Sequence, residues 1–283
     1  MTQTLARREV MSMKRIVAPL TLTLALGIGM LAGAQTAYAQ ATKDSRVADL
    51  VRAGELRVGL GLGVPTQAIK DPKTGELRGV ALELARILAN RIGVRLVIVE
   101  YPRPGAVLDG LRTNAWDVSF LGVDPRRAAE VDFSHVILQS EITYLVAAGS
   151  SIRSSTDADR TGIRIAVPRG DQSDLILSHT LKRAQLVRTE SHAEAIELLR
   201  TGKVDAKASP GFVLATEAAS VPGARLLADG FAQHPFAAIV PKGRAARLAY
   251  VNEFVEEAKA SGLVMRILDS LGLQLIRVAP AQK

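Results

Sequence analysis

Cysteine is absent from the 283 residues, and aromatic residues make up only 4% of them. Without thiols, disulfide-stapled domains and cysteine-ligated zinc or iron–sulfur sites are excluded. A hydrophobic share of 48% against 23% charged residues excludes a disordered chain. No basic stripe is interleaved with aromatics, so no nucleic-acid partner is expected. Histidines are few, and His135, His179, His192 and His234 are spaced for no helical metal pair, so neither a metal nor a cofactor is expected. Serine never sits in a glycine-x-serine-x-glycine elbow. Gly59-Leu60-Gly61-Leu62-Gly63 resembles a dinucleotide fingerprint, but Val64-Pro65 stands where its third glycine belongs. What remains is an aliphatic chain long enough for one large domain or two lobes of roughly 100–150 residues each.

Lys14 and Arg15 precede an apolar run from Ile16 to Ala34, and the small-x-small sites Ala37-Tyr38-Ala39 and Ala39-Gln40-Ala41 follow. This is the layout of a secretory signal peptide over residues 1–39, which places the mature chain in the periplasm. Arg7-Arg8 has the form of a twin-arginine signal, but a second basic pair precedes the apolar run and puts an alternative start at Met11 or Met13. No cysteine is available for a lipid anchor. Residues 1–39 hold four basic side chains (Arg7, Arg8, Lys14, Arg15) and one acidic (Glu9), so their removal lowers the formal charge from +8 to +5. That modest excess favours small anionic molecules over a polyanion.

The chain repeats itself. Leu111-Arg112-Thr113-Asn114-Ala115-Trp116-Asp117-Val118 and Leu199-Arg200-Thr201-Gly202-Lys203-Val204-Asp205-Ala206 share one frame: a helix end, a polar turn, an aspartate and a short apolar strand. Upstream, Leu96-Val97 with Glu100 matches Leu186-Val187 with Glu190, and Leu56-Arg57-Val58-Gly59 matches Ile163-Arg164-Ile165-Ala166. Three pairings in the same order imply two lobes on one plan. Strands and helices alternate in each, the pattern of a mainly parallel sheet covered on both faces.

In the first lobe the pattern predicts strands over Arg57–Leu60, Arg95–Val99 and Val118–Leu121, with helices over Val80–Ile92 and Ala106–Thr113. In the second it predicts strands Arg164–Val167 and Gln185–Arg188, with helices near Ser173–Leu181 and over His192–Thr201, the latter opened by a Ser191/Glu194 capping box. A strand Phe236–Val240 and helices Ala245–Ser261 and Val264–Leu271 complete the chain. Ligands of such sheets bind at the C-terminal strand ends, so a cleft between the lobes is the expected site.

Particular stretches resemble a known family. Gly79-Val80-Ala81-Leu82-Glu83-Leu84, the run from Asp124-Pro125-Arg126-Arg127 to Asp132-Phe133-Ser134, and Phe236 to Gly243 are similar, in order, to segments of the family 3 extracellular solute-binding proteins, the polar amino-acid receptors of ABC importers. The resemblance implies an α/β, type II periplasmic binding protein fold: lobe one over 47–139 plus 236–273, lobe two over 140–235, joined by two crossing segments. It also implies a usually monomeric receptor that closes on a small carboxylate-bearing ligand and delivers it to an inner-membrane ABC permease.

Site residues follow from the same likeness. Asp124 and Pro125 signal a helix start, with Arg126 and Arg127 in its first turn. Cations are disfavoured there unless they help to hold an anion. The resemblance makes Arg127 the carboxylate-gripping residue and leaves Arg126 to solvent. Gly170-Asp171-Gln172-Ser173 corresponds to the family's ligand loop in the second lobe, so Asp171, Gln172 and Ser173 are candidates; Asp171 either meets a ligand amine or caps the helix.

Where the family has an amine-binding aspartate, an acidic and aromatic first loop, a stacking aromatic and a hydroxyl residue, this chain has Ser209-Pro210, Gly61-Leu62-Gly63, Pro104 and Gly122. Carboxylate recognition is kept and standard α-amino recognition is eroded, which points to an unusual amino acid or an organic acid. Periplasmic cyclohexadienyl dehydratases resemble the same family and keep an enzyme reading open, with Glu141 at the hinge or Asp171 as its general acid. A ligand-sensing module for a membrane receptor shares the same site chemistry.

Overall fold

The computed structural model describes residues 44–282. The signal peptide expected over residues 1–39 lies outside them. Helix α1 (Ser45–Leu50) leads into β1 (Glu55–Gly61), a small hairpin of β2 (Ile69–Lys70) and β3 (Leu77–Arg78), α2 (Val80–Ile92), β4 (Arg95–Tyr101), β5 (Val118–Gly122) and the long β6 (Val131–Val146). The chain continues through β7 (Arg164–Pro168), α3 (Gln172–Thr180), β8 (Gln185–Thr189), α4 (His192–Arg200), β9 (Ala206–Pro210) and α5 (Gly211–Glu217). It ends with β10 (Arg225–Leu226), β11 (Ala232–Pro241), α6 (Ala245–Ala260), α7 (Leu263–Ser270) and β12 (Arg277–Val278).

One sheet runs through both halves in the order β4-β1-β5-β11-β6-β9-β7-β8. At each end the strands are parallel, β4 and β5 flanking β1, and β8 and β9 flanking β7. In the middle β11 and β6 are antiparallel, and both pass from one half to the other. Four-residue helical spacing puts Leu84, Leu88 and Ile92 on the buried side of α2, and Gly93 closes the helix at φ 80°. Each such Leu or Ile removed from water contributes on the order of 1.5–3 kcal/mol.

The main apolar cluster joins Val47–Leu138 to Phe236–Ile276 and takes in Phe212 and Val213, whereas two further clusters fall within 144–227. The mixed α/β architecture is that of a two-lobed type II periplasmic binding fold.

Two local expectations are corrected. The segment foreseen as a helix over Ala106–Thr113 is a 3₁₀ helix, Pro104–Leu111. Trp116 Nε1 donates to Val107 O at 2.7 Å and so draws on a carbonyl of the would-be ladder, and a Cβ on Gly110 would come within 2.1 Å of the Tyr101 hydroxyl. The helix foreseen after Asp124-Pro125 shrinks to one 3₁₀ turn, Arg127–Ala129, because β6 begins pairing with β11 at Val131↔Pro241. Half of the capping box forms: Ser191 Oγ accepts from Glu194 N at 3.0 Å, while the Glu194 carboxylate accepts from Glu190 N at 2.8 Å instead of from Ser191 N.

Candidate functional site

The C-terminal end of β5 delivers the chain to Asp124, whose carboxylate accepts from Arg126 N at 2.9 Å and turns the backbone inward. This local bond, rather than a helix N-terminus, aims Arg127 into the gap between the lobes. Arg127 is 3% exposed. Its Nη1 donates to Gly122 O in lobe one at 2.8 Å and its Nη2 to Gly170 O in lobe two at 2.7 Å. Nε is buried without a partner, and no carboxylate among the described residues lies within 4.0 Å of the guanidinium. Burial pushes its pKa down, and the fields of Asp171 and Asp124 oppose that push.

Facing it, Asp171 sits at the N-cap position of α3 but makes no cap bond with its side chain. Oδ2 pairs instead with His192 Nε2 at 2.8 Å, and Oδ1 accepts from Gly105 N of lobe one at 3.3 Å. Burial alone would raise this carboxyl, but the His192 bond and the Arg127 charge outweigh it and hold the pKa below the ordinary value. Behind His192 the chain of polar groups continues to the fully buried Lys207, whose Nζ is 3.4 Å from His192 Nδ1 and 2.5 Å from both Glu217 carboxylate oxygens. Burial lowers the Lys207 pKa against the pull of Glu217. The arrangement is satisfied when Lys207 donates to Nδ1 and Nε2–H donates to Asp171, which locks the ring.

Gln172 spans the gap as well, donating from Nε2 to Val123 O at 3.0 Å while its Oε1 meets His234 Nδ1 on β11. His234 is pushed down to about 3, chiefly by burial and then by the Arg127 charge. Glycine at 122 leaves room for this amide, since a Cβ would come within 2.0 Å of Gln172 Oε1 and push that side chain aside. Together these groups enclose a cavity of about 30 Å³ between closed lobes. Arg126, in contrast, is turned outward and reaches His179 Nε2 at 2.8 Å.

Of the candidates from sequence, Arg127, Gly122, Asp171, Gln172 and Ser173 come together on this cavity. Gly61 contributes from behind, its N–H donating at 2.5 Å to Oε1 of the lining residue Gln67, and a Cβ there would strike the Pro104 backbone at 2.4 Å. Ser209 is buried in the β6–β9 ladder opposite Thr143, so its neighbour Pro210 lines the cavity. Glu141 is elsewhere, on a separate groove behind the hinge strands. Gln67, His192 and His234 also line the cavity and were missed from sequence. For Lys207 a signal existed: a lysine inside Ala206-Lys207-Ala208, a strand otherwise made of small buried residues.

Residues 56–272 match the bacterial extracellular solute-binding proteins, family 3. The ABC transporter glutamine-binding protein GlnH of Bacillus subtilis (strain 168) is 24% identical over 238 residues, 81% of this chain and 86% of that protein. A glutamine-binding protein of Geobacillus stearothermophilus is 26% identical over 188 residues, 65% of this chain and 71% of its own. Among solved structures, the ancestral amino acid-binding protein AncCDT-1, a precursor of cyclohexadienyl dehydratase, superposes with a TM-score of 0.69 at 26% identity, covering 78% of this chain and 96% of that one. The match over 56–272, two lobes on one duplicated plan and an arginine buried where they meet agree: the chain belongs to the bacterial extracellular solute-binding proteins, family 3.

Proposed function

We propose that this protein is a periplasmic receptor that closes on a small carboxylate-bearing amino acid and presents it to an ABC permease. One observation carries the reading: Arg127 is a buried guanidinium with an unpartnered Nε and no carboxylate within ion-pair distance among the described residues. A buried cation of this kind is costly unless an anion joins it, and a ligand carboxylate supplies that anion. We assign residues 47–139 with 236–273 to one lobe and 140–235 to the other, a division supported by the separation of the apolar clusters.

Asp171 supports an amino group on the same ligand. Its carboxylate is kept ionised and oriented by His192, and it provides the anion that Pro210 cannot. With one cation and one anion on the cavity, a ligand of zero net charge leaves the balance intact, and the glutamine-binding relatives make glutamine the first candidate. An enzyme reading needs a protonated acid in the cleft. Asp171 is held in its charged form, and Glu141 lies outside the cavity, so a binding role is favoured.

A thermal-shift screen tests this, because a ligand that binds only the folded state raises the melting point as its concentration exceeds Kd. Neutral amino acids should raise it, and their des-amino acids should raise it less. Stabilisation by cations that lack a carboxylate, with none from amino acids, would overturn the proposal.

A further inference from the structure

A second cavity, larger than the one around Arg127, is on the other face of the hinge. Along β11, His234 and Phe236 face the ligand cavity, so the alternation of a strand turns Gln233 to the opposite side. Gln233 pairs with Glu141 on β6, and Gln139, two residues along β6, pairs on the other edge with Arg277 of β12. These side chains, with Gln274 and Leu275 of the C-terminal segment, floor a groove of about 390 Å³ whose far wall is Leu226, Leu227, Ala228 and Gly230. That volume falls in the usual range for small-molecule sites, roughly 300–1,000 Å³.

Thr143 on its lining donates to Leu227 O and Asp229 O, but the charged groups and amides of the groove are unused. Glu141 and Arg277 bear opposite charges on one face of the sheet, in diagonal register, yet neither makes an ion pair or side-chain hydrogen bond among the described residues. Nor do the amides of Gln139, Gln233 and Gln274. Diagonal neighbours stand about 7–8 Å apart, a gap that these long side chains could close but leave open, and one close to the span of two extended residues, about 7 Å. Beside them Leu275 is 51% exposed, an apolar surface on an otherwise polar floor.

We propose that this groove is a second binding site, for a short zwitterion of dipeptide length. Its carboxylate sits on Arg277, its ammonium on Glu141, its peptide group meets the glutamine amides and an apolar side chain covers Leu275. The site is independent of Arg127, since the two cavities share no lining residue.

Titration of the whole mature protein with glycyl-leucine, followed by NMR of the glutamine side-chain amides, tests the proposal. It is run on the Arg127→Ala variant so that carboxylate capture in the front cleft does not contribute. Shifts confined to the groove amides are expected, and Arg277→Ala and Glu141→Gln should each weaken binding about fivefold, as exposed ion pairs allow. Acetyl-leucine and leucine amide, each lacking one charge, should bind correspondingly less well. Both substitutions remove exposed, unpaired groups, so the variants should fold. Absence of groove shifts with the dipeptide, or affinity unchanged by both substitutions, overturns the site.

Discussion

Arg57 grips Asp117 with three bonds: its backbone N–H and Nε reach Oδ2 at 3.1 and 2.9 Å, and Nη2 reaches Oδ1 at 2.9 Å. Arg164 and Asp205 repeat the same three contacts at 2.8, 3.1 and 3.1 Å. Even the turn is copied, with Nη1 of Arg57 on Asn114 O and Nη2 of Arg164 on Gly202 O, both turn residues at positive φ. The duplication read from the sequence is therefore a repeated clamp that ties the first strand of each lobe to the strand beside it.

The copies differ in depth, and that sets their energies apart. Asp117 is fully buried and also serves the buried Arg247, whereas the Asp205 side chain is 34% exposed. Asp117→Ala should cost about 3–5 kcal/mol, the loss expected when a buried charge is stranded, and Asp205→Ala much less. Denaturant unfolding of the two variants checks this; equal losses would contradict it.

Closure depends on a glycine pair. A Cβ on Gly105 would come within 2.6 Å of Gly170 O in the opposite lobe, which is backbone and has little room to yield. Gly105→Ala should leave the melting point of the ligand-free protein nearly unchanged and weaken ligand binding. Small-angle scattering should then show no ligand-induced fall in radius of gyration.

Arg127→Ala should lose about 2–5 kcal/mol of ligand affinity, the cost of removing one partner of a buried charge pair. Arg127→Lys should not restore it, because a lysine cannot bridge Gly122 O and Gly170 O while holding a carboxylate. Titration calorimetry decides both; full affinity in either would move the anion site elsewhere.

Acid should open the cleft. In the closed arrangement His234 holds a pKa of about 3, below the ordinary 6.5 it regains when hydrated. The closed form thus binds fewer protons between those values. Its stability is fully present above pH 6.5 and falls as pH drops toward 3, by at most about 1.4 kcal/mol per unit. Groups facing His234 are Gln172, which accepts from it, and the charges of Arg127 and Asp171. Ligand affinity measured from pH 7.5 downward should weaken below 6.5, and a His234→Gln variant should show a shallower slope.

Strand and helix positions were legible in the sequence because they rest on short-range signals, and the duplication because its two copies can be laid side by side; the type II fold and the candidacy of Arg127 came from the resemblance to the family. Helix α2 fills Val80–Ile92 as its periodicity and following glycine indicate, and Asp117 and Asp205 stand at matching points of a repeat. Tertiary structure alone decided which face of the hinge each side chain takes. Glu141 and His234 are close in the β6–β11 ladder but look to opposite sides, since one step of register inverts every side chain. It also decided that Arg127 is aimed by an aspartate turn, because strand pairing from Val131 leaves no length for a helix. The chain from Asp171 through His192 to Lys207 and Glu217 joins four segments distant in sequence, so no local pattern encodes it.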